Sequence, residues 1–197
     1  MAGLAPDDTF DTRTWPGWAD LLPHLRALDL ANPDDEDVAR QACEAAGYLR
    51  QRGDPHASHD MIAPLYRAWG DRLGPTARPT LWAAKHLAVA LGDLGWWREA
   101  VAVERELHDH YVATYGDDHP DTLTAANNLA IDLTELGEYE RARALTEDTL
   151  TRHRQVFGAD DDPDPQELWS CCSGWRNKRT RARSSSGRGC SILPVPS

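Results

Sequence analysis

The sequence predicts an all-α fold: a right-handed α-solenoid of about three helical hairpins, with an N-terminal helix and a disordered C-terminal tail. Glycines recur every 42 residues in two series, which are Gly53, Gly95 and Gly137, and Gly74, Gly116 and Gly158. The alternating β-branched stretches that would indicate strands are absent from the sequence. A fixed period of this length is typical of stacked helical repeats, so the period predicts the architecture.

Small and apolar residues keep the same 42-residue step. The columns are Ala46, Ala88 and Ala130; Leu49, Leu91 and Leu133; and Leu73, Tyr115 and Phe157. We expect the alanines where the two helices of a unit approach closely, and the leucines in the space between units. Because one hairpin cannot bury its apolar face alone, its stability depends on neighbouring units.

The period divides the chain into five segments. They are an N-terminal segment with a short helix at about 17–30 (1–32), a degenerate first unit (33–74), a second unit (75–116), a third unit (117–158), and an aborted fourth unit with a basic tail (159–197). Within a unit, a glycine such as Gly137 ends the first helix, since it tolerates the left-handed conformation found at helix ends. Pro79 and Pro120 lie at helix entrances, where a missing N–H costs little.

The C-terminal tail differs from the rest of the chain in composition. The whole chain has 21 Lys and Arg against 32 Asp and Glu, whereas residues 166–197 hold six basic residues and one acid. Three of the four cysteines also lie in this tail. Arginine outnumbers lysine 19 to 2, as in a GC-rich coding sequence. The tail is therefore either a genuine disordered basic segment or the product of a frameshift or truncation.

Two phrases of the third unit carry a family resemblance: His119-Pro-Asp-Thr-Leu-Thr-Ala-Ala-Asn-Asn-Leu-Ala130 and Leu136-Gly-Glu-Tyr-Glu-Arg-Ala142. They resemble the tetratricopeptide repeat (TPR) in the 42-residue form of kinesin light chains. HEAT-type repeats have similar periods, but the Gly-x-aromatic-x-x-Ala turn favours the tetratricopeptide interpretation. The resemblance covers roughly residues 33–165 and implies a module that binds proteins or peptides.

The segment ahead of the repeats carries a second resemblance. Trp15-Pro-Gly-Trp18, followed by a leucine-rich stretch at 21–28, resembles the segment that joins the ATPase core to the repeats in actinobacterial STAND (NB-ARC-type) regulators. This resemblance implies a sensor region without its motor. No Gly-x-x-x-x-Gly-Lys occurs, so a phosphate-binding loop of that kind is absent from this sequence.

The sequence contains no catalytic motif, so we expect no enzymatic activity, no cofactor and no metal site. The histidine pairs His56/His59 and His108/His110 have no companion ligand at a metal-binding spacing. The acidic chain, with a net charge of −11, argues against nucleic acid as a partner. No stretch is long and apolar enough for a membrane span, and the cysteine spacing suggests no disulfide framework. These features predict a cytoplasmic protein.

The first helix of each unit is expected to line a concave groove. If Ala42, Ala45, Ala46 and Leu49 are buried, the groove stripe contains Arg40, Cys43, Gly47 and Arg50, then Trp82, Lys85 and Val89, then Thr124, Asn127, Ile131 and Thr134, with His86 and Asn128 flanking it. The stripe carries three cations and no carboxylate. It therefore predicts binding of an extended, acidic peptide, with Trp82 as an aromatic anchor. The resemblance to TPR arrays implies that Asn127 bonds the peptide backbone.

A second hypothesis remains open at this stage. The aborted fourth unit leaves an apolar end without a cap, and such an end favours self-association. On this interpretation the chain is a self-associating repeat fragment of a STAND-type ATPase regulator that lacks its nucleotide-binding core. Light scattering distinguishes the two hypotheses, because only self-association raises the apparent mass without a ligand.

Overall fold

The computed structural model describes residues 11–32 and 35–157. A 3-10 turn at Thr12–Thr14 is followed by seven α-helices: α1 (Trp15–Arg26), α2 (Glu36–Gln51), α3 (Pro55–Leu73), α4 (Arg78–Leu94), α5 (Trp97–Tyr115), α6 (Pro120–Leu136) and α7 (Tyr139–Phe157). No strand occurs in these two ranges. The predicted all-α array of hairpins is confirmed, with α2–α3, α4–α5 and α6–α7 as the hairpins. The predicted tail and aborted fourth unit lie outside the described residues.

The N-terminal helix α1 packs on the first hairpin through aromatic rings. Trp18 is buried and stacks on Tyr48 with ring centroids 6.2 Å apart, while Trp15 meets the same ring edge-on at 6.0 Å. In the segment that follows α1, the Leu30 carbonyl accepts a hydrogen bond at 2.8 Å from the indole N–H of the buried Trp69 of α3. The N-terminal segment therefore covers apolar surface that the first hairpin alone would leave exposed.

The turns inside the second and third hairpins share one geometry. Gly95 and Gly137 have φ of 80° and 88°, which places both in the left-handed region. The next amide reaches back to the end of the helix, from Trp96 to the Leu91 carbonyl at 2.9 Å and from Glu138 to the Leu133 carbonyl at 2.8 Å. This pattern is a Schellman motif, and it explains why glycine recurs at this position.

The turns between hairpins are also closed by a repeated contact. Thr80 donates its hydroxyl to the Gly74 carbonyl at 2.9 Å, and Thr122 donates to the Gly116 carbonyl at 2.8 Å. Both threonines are buried and lie 42 residues apart. Each hydroxyl therefore fixes the loop that precedes its helix, which sets the direction in which the next unit stacks.

The core lies between the helices, as the small-residue columns predicted. Ala46, Ala88 and Ala130 are all buried. The largest apolar cluster joins α1, α2, α3 and α4 and reaches α5 through Ala100, whereas a small cluster of Val101, Leu129, Leu133 and Ala142 joins the second and third hairpins. Among the described helices, none combines the length and the apolar character that a membrane span requires.

Candidate functional site

Exposed side chains of α4 and α6 form a narrow stripe on otherwise buried helices. Most of α4 is buried, because it contacts α2, α3 and α5. Six positions that keep some exposure, and that we call the inner stripe, are Arg78, Trp82 and Lys85 on α4, and Thr124, Asn127 and Ile131 on α6. Trp82 and Thr124 lie 42 residues apart, as do Lys85 and Asn127. The stripe therefore repeats from one hairpin to the next.

Trp82 is held from two sides. Its ring packs against the large apolar cluster and is only partly buried. The Arg78 guanidinium lies over the ring at 5.2 Å from its centroid and also forms an ion pair with Glu36 of α2 at 3.6 Å. Cation–π contact and core packing together fix the indole in one orientation, and the part of the side chain that stays exposed is available for a ligand.

Lys85 is an exposed cation and the last α4 residue of the inner stripe. It forms no ion pair within the two described ranges. Arg40, one helix away on α2, is exposed as well but pairs with Asp37 at 3.2 Å. Lys85 therefore has charge available for a ligand, whereas the charge of Arg40 is partly satisfied by its neighbour.

Asn127 occupies the position on α6 that Lys85 occupies on α4. Its amide nitrogen is shielded from solvent and makes no hydrogen bond to any residue in the described part of the chain. One turn earlier, Thr124 donates its hydroxyl to the Pro120 carbonyl at 2.8 Å and is already satisfied. A shielded amide donor without an acceptor costs free energy, and rotation of the partly exposed side chain would present this N–H₂ group to a ligand carbonyl.

Several residues predicted to line an open groove are buried, which corrects the prediction for them. They are Cys43, Gly47, Arg50, His86, Val89 and Asn128. For the residues of α2 and α4 the reason is that α2 packs directly on α4 and is covered by α1, so the carboxyl-terminal half of α2 has no open face. Asn128 lies on α6, which packs against α5 and α7. Arg40, Trp82, Lys85, Thr124, Asn127 and Ile131 keep partial or full exposure and remain predicted binding residues.

Arg50 and His86 are part of a buried polar group instead. The Arg50 side chain is only 2% exposed and pairs with Asp93 of α4 at 3.1 Å. Burial, with the positive charges of Lys85 and Arg50 adding to it, lowers the pKa of His86 to about 3. The imidazole is therefore neutral at physiological pH and contributes no charge to the stripe.

Sequence reasoning missed Arg78, Glu36 and Asp93. Arg78 could have been found, because it lies four residues before Trp82 and so on the same helix face. The Arg50–Asp93 ion pair had no such local signal, because its partners are 43 residues apart. Neither carboxylate belongs to the inner stripe, but each pairs with an arginine beside it, Glu36 with Arg78 and Asp93 with Arg50.

The metal-ligating and nucleophilic side chains of the described ranges include one cysteine, Cys43. No group of three histidine, cysteine, aspartate or glutamate side chains there could hold a metal ion. Cys43 is a buried free thiol, and burial, with the Glu44 charge adding to it, raises its pKa well above the usual value. A thiol in that state is a poor nucleophile.

The second and third hairpins match a known repeat family. A model of the tetratricopeptide repeat matches residues 80–121 and 122–164. Residues 80–164 of this chain therefore belong to the tetratricopeptide-repeat family. The matched TPR segments cover the second and third hairpins, where the Schellman turns and the threonine contacts recur.

Solved structures with the same fold are similar over most of the chain. BtubC (BKLC) from P. vanneervenii has 15% identity and a TM-score of 0.64, with 94% of this chain and 80% of that chain covered. A putative kinesin light chain with nearly identical TPR-like repeats from Podosopora anserina has 15% identity and a TM-score of 0.65, with 87% and 82% covered. A single-substitution variant of that protein has 15% identity and a TM-score of 0.66, with 87% and 81% covered. No curated protein matches the chain.

The TPR fold assigns the chain to a class of function. TPR arrays are protein-interaction scaffolds, and they are typically non-catalytic. Their partners are generally proteins. The inner stripe is therefore the surface on which a partner is to be sought first.

Proposed function

We propose that this TPR protein binds an extended peptide segment of a partner protein along the inner stripe. Its three units are those at 33–74, 75–116 and 117–158. The observation that carries the proposal is the shielded Asn127 amide, which lacks an acceptor within the described residues and occupies the position of the exposed Lys85 one unit earlier. An extended peptide supplies backbone carbonyls at regular spacing, so it fits a surface that repeats with the units.

The charge of the stripe favours an acidic segment. Lys85 has no counter-ion within the described ranges, and Arg78 lies over Trp82 with a long ion pair to Glu36. A carboxylate on the peptide would pair with Lys85, while an apolar or aromatic side chain would pack on the exposed part of Trp82. With Arg50 buried and Arg40 paired, Lys85 is the residue on which the acidic preference depends.

The test uses the full chain and three fluorescent peptide libraries of equal length, one acidic, one neutral and one basic. We expect the acidic library to bind most tightly. Lys85→Glu should reverse the charge preference, and Asn127→Ala should weaken binding of all peptides about fivefold, since it removes one backbone hydrogen bond. Arg67→Glu is the matched control, because Arg67 is exposed on α3 outside the stripe.

Two results would contradict the proposal. Equal recovery of acidic and basic peptides, unchanged by Lys85→Glu and Asn127→Ala, would remove the inner stripe as a binding surface. A mass that rises with concentration in light scattering without peptide would favour the alternative, a self-associating repeat fragment of an ATPase regulator.

The cellular location belongs to the same proposal. Cys43 is a free, buried thiol in the described part of the chain, which fits a reducing compartment. We therefore place the protein in the cytoplasm. Fractionation of the native cells checks this, and recovery outside the cytoplasmic fraction would contradict it.

A further inference from the structure

A second surface lies at the junction of the second and third hairpins. It is a cleft of about 410 Å³ lined by Arg98, Val101, Ala102 and Arg105 of α5, and by Leu136, Glu138 and Arg141 at the α6–α7 turn. We call it the outer cleft. It contains none of the inner-stripe residues, so a ligand bound there would be independent of the stripe.

The outer cleft combines an apolar floor with unpaired cations. Arg98 and Arg105 lie seven residues apart on one face of α5, and neither has an acidic partner in the described ranges. Arg141 forms an ion pair with Glu138 across the turn. The floor consists of Val101, which is buried, and Leu136, which is half-buried. Two guanidinium groups therefore face a ligand without a counter-ion from this part of the protein.

The preceding junction shows what fills this place elsewhere in the same array. The residues 42 positions earlier are Trp96 for Glu138, His56 for Arg98 and His59 for Val101. Trp96 packs on both histidines, with ring centroids 5.0 Å from His59 and 6.4 Å from His56. At the outer cleft a shorter, charged Glu138 replaces this indole. The cleft is therefore open at the position where the preceding junction carries an indole.

We propose that the outer cleft binds an acidic peptide segment of a partner protein. Carboxylates of the segment pair with Arg98 and Arg105, and an apolar side chain between them packs on Val101 and Leu136. Arginine suits this role, because its planar fork matches a carboxylate with two parallel hydrogen bonds. On a chain of net charge −11, a cleft with two unpaired guanidinium groups is a local site of opposite sign that attracts an acidic ligand.

The first experiment titrates a labelled peptide, a single leucine flanked by aspartate and glutamate, into the full chain and follows fluorescence anisotropy. We expect Arg98→Gln with Arg105→Gln to weaken binding at least about tenfold, since two charge-assisted contacts are lost. Arg67→Gln is the control for an exposed arginine outside the cleft, and it should leave the affinity unchanged. Lys85→Glu separates the two sites: loss on Lys85→Glu alone would assign the peptide to the inner stripe and overturn the outer-cleft proposal.

The second experiment separates occupation of the cleft from simple charge attraction. Glu138→Trp restores the side chain found at the preceding junction and fills the cleft, while Glu138→Gln removes the same charge without filling it. We expect Glu138→Trp to weaken peptide binding at least about tenfold and Glu138→Gln to leave it equal or tighter. Tighter binding by both variants would overturn the proposal, because it would show general electrostatic attraction.

Two other occupants are distinguished by the same proteins. If a peptide with glutamine and asparagine in place of the acids binds equally well, the arginines are not the determinant and the proposal fails. If light scattering without peptide shows a dimer that Arg98→Gln with Arg105→Gln abolishes, the occupant is a second copy of this chain, which also overturns it.

Discussion

The first and second hairpins meet through aromatic rings and a buried ion pair, whereas the second and third meet through small aliphatic side chains and exposed arginines. Trp96 lies on His56 and His59 at the first junction, and Glu138 occupies its place at the second. The Arg50–Asp93 ion pair likewise joins only the first two hairpins, since Arg50 corresponds to Gly92 and Asp93 to Glu135. One backbone period therefore supports two kinds of junction, one filled and one open to a ligand.

This difference assigns separate roles to the two junctions. The largest apolar cluster lies mainly in α1–α4 and includes Ala100 of α5, and the cluster between the second and third hairpins has four buried members. Because stability in a repeat array is approximately a sum of units and interfaces, we expect the first junction to contribute more. The second junction is then free to carry charges that a ligand can use.

The largest effect is expected at Trp69. Trp69→Ala removes a fully buried indole and its hydrogen bond to the Leu30 carbonyl, and should cost about 3–5 kcal/mol. Tyr111, its counterpart 42 residues later, is only partly buried, so Tyr111→Ala should cost less than half as much. Urea unfolding of both variants measures the difference. Equal costs would show that this position contributes alike in the first and second hairpins.

A pH-dependent effect follows from His86. Its pKa is lowered to about 3 by burial first and by the charges of Lys85 and Arg50 next, so the folded state binds its proton only in strong acid. The unfolded state binds that proton near pH 6.5. The contribution of His86 to the free energy of unfolding is therefore fully present above pH 6.5 and is lost as the pH falls toward 3.

The variant that isolates this effect copies the next unit, where Asn128 stands in place of His86. We expect the unfolding free energy of the native chain to fall between pH 7 and pH 4 by on the order of 2–3 kcal/mol more than that of His86→Asn. Urea unfolding at each pH measures both. Parallel pH curves would contradict this prediction, because they would indicate that His86 is protonated in the folded state as readily as in the unfolded state.

The buried ion pair gives the next prediction. Asp93→Ala removes the carboxylate that faces the 2% exposed Arg50 side chain, and should cost about 2 kcal/mol. Glu135→Ala is the matched change in the third unit, where the side chain is exposed, and should be within about 0.5 kcal/mol of the native chain. A cost at Asp93 no larger than at Glu135 would show that Arg50 is satisfied without this partner.

The sequence predicted the features that depend on local signals. Gly137 and its relatives marked the turns because a left-handed residue is a local requirement, and Ala88 marked a close approach because its column repeats. Burial of Arg50 and His86 could not be predicted, because it depends on how α2 packs on α4 and α1 covers α2. The outer cleft was missed for a different reason: each arginine on its own resembles an ordinary surface residue, and only comparison with Trp96 shows an unfilled position.

The smallest effect concerns what the junctions share. Thr80 and Thr122 make the same hydroxyl contact to a loop carbonyl, at 2.9 Å and 2.8 Å, and both are buried. Valine keeps the shape of threonine but loses that donor, so Thr80→Val and Thr122→Val should each cost about 1 kcal/mol. Equal costs in urea unfolding would show that the backbone period is fixed by the same contact at both junctions. A larger cost at Thr80 would mean that the first junction is stiffer in its backbone as well as in its side chains. A stiffer loop cannot shift to give the Gly74 carbonyl another hydrogen-bond donor, so the loss of the threonine hydroxyl costs more there.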